Sequence, residues 1–111
     1  MILSGRENLK TYNKAIRDKI PEIIKKSGHE YNVKVLSDKE FLSKLEEKLG
    51  EELQEYQESK SVEELADIIQ VIYRISELKG KTEEQLEEIR IKKGEDIGRF
   101  DKNLFLIESE D

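Results

Sequence analysis

Cysteine is absent from the chain, which excludes disulfides, thiolate metal sites and cysteine nucleophiles. Histidine occurs once, as His29, so no multi-histidine metal site can form within one chain. Any metal site must then be built from oxygen, the ligand of hard cations such as Mg²⁺ or Mn²⁺. Tryptophan is missing and aromatic residues are 6 % of the chain, so the core must be mainly aliphatic. Proline occurs once, at Pro21. Long apolar runs are also missing, so no segment is expected to span a membrane. The opening "MILSGRENLK" lacks the apolar region of a signal peptide, and the chain reads as cytoplasmic.

What is present is charge. Charged residues make up 41 % of the 111 positions, with a net charge of −6. The distribution is uneven: residues 1–37 carry +4, residues 38–67 carry −7 and residues 68–111 carry −3. An acidic total disfavours non-specific nucleic-acid binding. A basic flank beside an acidic centre suits a phosphate-bearing ligand held through metal ions. The length fits one domain, read as residues 12–108 behind an N-terminal extension at 1–11.

The patterning predicts a mainly α protein, an antiparallel helical bundle. Ile16, Ile20, Ile23 and Ile24 have helical spacing, with Pro21 to open that helix and Gly28 to close it. Asp38 is the expected N-cap of a long helix reaching about Glu58. Ser61 with Glu64, and Thr82 with Gln85, are spaced as capping boxes for two more helices. These end at Gly80 and towards Gly94 or Gly98. Tyr31, Val33 and Val35 alternate, and "NLFLIE" near the end is β-prone, so a short two-stranded β element is a candidate addition.

The stretch "GEELQEYQESKSVEELAD", Gly50 to Asp67, contains seven acidic residues and one basic residue, Lys60. At 100° per residue, Glu52 falls about 20° from Leu45, inside the apolar stripe that Phe41, Leu49 and Tyr56 continue. An unpaired carboxylate is costly there. The helix after Ser61 is apolar on two sides, and Glu64 and Asp67 head the side that holds Val71, Ile75 and Leu78. A turn at Lys60 would face Glu52 and Glu55 against Glu64 and Asp67, pairs spaced three apart. Such a cluster calls for cations, and bound Mg²⁺ is one remedy. A solvated acidic face and a plain capping role for Glu64 are the competing readings. Lys48, one turn before Glu52, is either its salt-bridge partner or a substrate contact.

EELQE followed by EELAD resembles the E-E-x-x-E and E-x-x-D signature of the MazG-type all-α nucleoside triphosphate pyrophosphohydrolases. "YNKAIRDKIPEIIKKSG" and "YNVKVLSDKEFLSKLEEKLGEELQEY" resemble the phosphoribosyl-ATP pyrophosphohydrolase-like branch. The resemblance covers about Tyr12 to Leu106. It implies an all-α core binding Mg²⁺ (or Mn²⁺), usually in a dimer or higher oligomer. The implied reaction is hydrolysis of a nucleotide between its α and β phosphates. The implied metal ligands are Glu52, Glu55, Glu64 and Asp67. Glu51 is a further catalytic candidate beside Glu52, orienting water or a second metal. Arg17, Lys19, Lys48 and Lys93 are the implied phosphate contacts, and Lys14 matches the motif too. Ile97, Arg99 and Asn103 depart from the branch pattern, which is more basic and glycine-rich there. A non-catalytic nucleotide-binding or helical interaction module is the alternative function.

Overall fold

A computed structural model describes residues 9–110. Among these residues four helices follow one another: α1 (Ile20–Lys26), α2 (Asp38–Ser59), α3 (Val62–Leu78) and α4 (Glu83–Ile97). Among the described residues there is no strand. The fold is thus mainly α, as the patterning predicts. No helix is long and apolar enough to cross a membrane among the described residues.

The caps explain the boundaries. Ser37 is extended, and its hydroxyl accepts the Glu40 N–H, so the N-cap of α2 lies one residue before the expected Asp38. Thr82 and Gln85 form the expected capping box on α4. The box expected at Ser61 is not formed. Ser61 Oγ accepts from the Glu63 N–H instead, and the Glu64 carboxylate is left for other work. α1 starts at Ile20 with Pro21 in its first turn, as expected, and Ile16 lies before it.

Lys60 takes a left-handed conformation (φ 58°) and its N–H bonds Tyr56 O at 2.7 Å. Only Lys60 and Ser61 separate α2 from α3, so the two helices fold back as an antiparallel hairpin. α3 also packs on α4. Tyr73 Oη donates to Glu87 across that second contact, at 3.1 Å. Ser76 is buried and its hydroxyl donates to Lys81 O, at the turn between α3 and α4.

The core is small. Ala15, Leu45 and Val71 form its centre, and Phe41, Leu49, Ile75 and Leu78 pack around them. Ala15 comes from the irregular stretch before α1, which lies across the α2–α3 hairpin. Of α3's two apolar sides, that of Val71, Ile75 and Leu78 is covered by this packing. The other keeps Val62, Leu65 and Ile69 exposed. The two β-prone stretches, residues 29–36 and 103–108, form neither helix nor strand and have no strand partner among the described residues. Alternation marks an edge that could pair, yet it cannot supply the second edge.

Candidate functional site

The site forms at the Lys60 end of the hairpin, where α2 and α3 bring their acidic residues together. Ligand-capable oxygens of Glu51, Glu52 and Glu55 lie within 4.8 Å of one another, and so do those of Glu52, Glu64 and Asp67. Glu52 belongs to both groups. It is 6 % exposed, as its place in the apolar stripe predicts. The four expected ligands and Glu51 are therefore gathered in one place.

Two of these carboxylates lack part of their hydrogen bonding. Oε2 of Glu52 and Oε2 of Glu64 are buried and have no hydrogen-bond partner. Such an atom costs about 1–3 kcal/mol in desolvation. A solvated acidic face does not bury oxygens in this way. A capping role for Glu64 is also excluded by the bonds that Ser61 makes.

Three cations border the cluster. Lys48 Nζ is 3.4 Å from Glu52 Oε1 and 3.9 Å from Glu51 Oε1. Lys14 Nζ bonds Glu51 Oε1 at 2.9 Å, and Arg17 bonds Asp67 Oδ1 at 2.6 Å. The stretch before α1 is thus pinned on both sides of Ala15, by Lys14 to α2 and by Arg17 to α3. Five carboxylates against three cations leave two negative charges when all are ionised, which one divalent cation would balance.

The acids differ electrostatically. Burial pushes the Glu52 carboxyl above its ordinary range, and repulsion from Glu55 adds to this, outweighing Lys48. The Lys14 hydrogen bond holds Glu51 below its ordinary range, and the same bond raises Lys14. Glu51 is thus the firmly ionised member and Glu52 the reluctant one.

The remaining candidates are placed differently. Lys19 and Lys93 are exposed and take part in no ion pair among the described residues. Lys14 has a closer contact with the cluster than either. Helical periodicity could not assign it, because residues 12–17 are irregular and Asn13 is left-handed (φ 47°). Tyr12, Asn13, Lys14, Lys44, Lys48 and Glu51 help line a cleft of about 220 Å³ beside the acids. A larger hollow of about 430 Å³ at Lys25, His29 and Tyr31 contains none of the cluster residues. The smaller cleft is the one that belongs to the site, because its chemistry is shared with the carboxylates. Compared with protein-family models, curated proteins and solved structures, the chain matches none.

Proposed function

We propose that this protein is a Mg²⁺-dependent nucleotide pyrophosphohydrolase. It would cleave a nucleoside triphosphate or related nucleotide between the α and β phosphates, giving a monophosphate and pyrophosphate. The observation that carries this reading is the pair of buried, unpartnered oxygens on Glu52 and Glu64, at the meeting of the two acidic groups. An all-oxygen donor set fits Mg²⁺, with Mn²⁺ as the alternative.

Glu52, Glu55, Glu64 and Asp67 are the residues that would hold the cation. When bound, it supplies charge neutralisation at phosphate oxygens and a more acidic bound water. Phosphoryl transfer needs positioning and charge compensation more than a covalent nucleophile, so the lack of cysteine is no obstacle. Glu51, kept ionised by Lys14, is a poor proton acceptor but a good hydrogen-bond acceptor. Its role in the reading is to orient the attacking water. Glu52 is the shared ligand on which both acidic groups depend. Arg17 and Lys48, already at the rim, would exchange part of their carboxylate contacts for phosphate oxygens. Lys19 and Lys93 enter as outer phosphate contacts.

The reading includes a homodimer or higher homo-oligomer. The exposed side of α3, with Val62, Leu65 and Ile69, favours a second copy as its cover. The cleft of about 220 Å³ also falls short of the roughly 300–1,000 Å³ usual for small-molecule sites, which fits a site completed by assembly. A cytoplasmic setting fits the nucleotide substrate.

Pyrophosphate release from a nucleotide panel, with Mg²⁺ and with chelator, tests the reading. The expected result is Mg²⁺-dependent release that falls at least a hundredfold in Glu52→Gln. Equal activity of that variant, or no cleavage of any nucleotide, would overturn it. Nucleotide binding without turnover would instead select the non-catalytic module.

A further inference from the structure

Two stretches outside the helices expose apolar side chains and pair with no strand among the described residues. In the first, Val33 is 54 % and Val35 is 100 % exposed. In the second, Leu104, Phe105, Leu106 and Ile107 are 79–87 % exposed. Among the described residues no backbone hydrogen bond engages residues 30–36 or 104–108. Aromatic and β-branched residues favour a pleated strand, and an unpaired edge of this kind is a template for another chain.

The whole molecule carries a matching excess of surface. Its accessible area is 10,389 Å², whereas a compact monomer of 13.0 kDa exposes about 6,300 Å². Its radius of gyration is 19.5 Å, against about 13 Å for a compact domain of this length. The excess is larger than the roughly 1,000–2,500 Å² that each protomer contributes to an obligate homodimer. The surface to be covered and the segment able to cover it therefore lie on the same chain.

We propose that the segment at Leu104–Ile107 of one copy pairs as a strand with the Tyr31–Val35 edge of a second copy, and the reverse. The exchange is reciprocal, so it closes under two-fold symmetry. Gly98, at φ 85°, caps the end of α4, and a turn at Asp101–Lys102 leads into the segment. The sequence Leu-Phe-Leu-Ile is apolar on both faces of a strand, so it suits a strand covered on two sides. The pairing is independent of the catalytic reading, since none of these residues belongs to the acidic site.

The absence of native cysteine makes a clean test available. Single-cysteine variants Val33→Cys and Phe105→Cys are unfolded together, refolded and treated with a short bismaleimide. The expected product is a covalent heterodimer, at least several-fold above a control pair of Glu88→Cys with Phe105→Cys. The double variant should yield mainly cross-linked dimer rather than internally closed monomer. Internal closure in the double variant, or a heterodimer yield equal to the control, would overturn the proposal. As a second measurement, Phe105→Asp should lower the yield with Val33→Cys/Leu104→Cys chains, while the circular dichroism of the helices is retained. An unchanged yield would also count against the pairing.

Discussion

Glu52 occupies a position where helix geometry calls for a hydrophobe, and one of its oxygens goes unpaired as a result. The sequence made the position readable, because a single carboxylate inside an apolar stripe stands out from the solvated acids beside it. Glu64 was harder to read. Its spacing from Ser61 fits a capping box equally well, and only the observed Glu63 N–H bond separates the two roles. Lys14 was harder still, since its contact depends on an irregular turn with no period to follow. The cluster's excess negative charge leads to a measurable sign reversal. In chelator, Glu52→Gln removes one repelling charge and adds an amide donor, so the variant should be more stable by about 1–2 kcal/mol. In saturating Mg²⁺ the wild type should overtake it, because binding to the native state alone adds stability in proportion to RT ln(1 + [L]/Kd). Thermal melts of both proteins in both buffers check this. An identical Mg²⁺ shift in the two proteins would show that Glu52 is not a ligand.

At the scale of elements, the helices were legible because their ends carry chemistry. Ser, Thr and Gly mark starts and stops through bonds that local spacing reveals, and all four helices end within a residue or two of expectation. Strand pairing was not legible in the same way. Periodicity two says which residues share a face but not which backbone lies alongside. The α3–α4 contact shows a similar limit, since nothing in the periodicity singles out Tyr73 and Glu87 as partners. That contact has a pH signature. The Arg90 hydrogen bond holds the Glu87 carboxyl below the ordinary value of 4.5, and the Tyr73 hydroxyl lowers it further. A depressed carboxylate stabilises the fold at pH values above its unfolded pKa. That contribution is lost as pH falls through the folded pKa. Glu87→Gln should therefore melt slightly below wild type from pH 7 down to about pH 5, with the gap closing as the pH drops further. Melting curves at stepped pH test it, and a gap that widens in acid would contradict the assignment. Tyr73, whose own pKa is raised by the same bond, stays protonated and donating throughout this range.

For the whole molecule, the balance between core and surface decides how the protein exists in solution. Among the described residues four hydrophobic ones, Ala15, Leu45, Ile68 and Val71, are buried, and no side chain is completely enclosed. Burying one such side chain contributes about 1.5–3 kcal/mol, while ordering each residue costs about 1–2 kcal/mol. So thin a core in one copy would leave further stabilising burial to be made in the proposed oligomer. The exposed α3 side and the unpaired edges are where a second copy would make it. If folding and association are one event, stability depends on protein concentration. A tenfold increase in concentration adds about 1.4 kcal/mol to a dimer. For a folding unit of two chains this raises the melting temperature by about 3 °C. Ile69→Lys places a charge on the α3 side without touching the carboxylates, which leave from the opposite apolar stripe. It should lower the melting temperature at every concentration and shift the molecule towards monomer in sedimentation velocity. Mg²⁺ should still raise its melting temperature, because the proposed ligands lie within one hairpin. A melting temperature that is independent of concentration in the wild type would mean that one copy folds alone, and that the exposed α3 side serves another purpose. Loss of the Mg²⁺ response in Ile69→Lys together with the dimer would instead show that the metal site itself is assembled by the second copy.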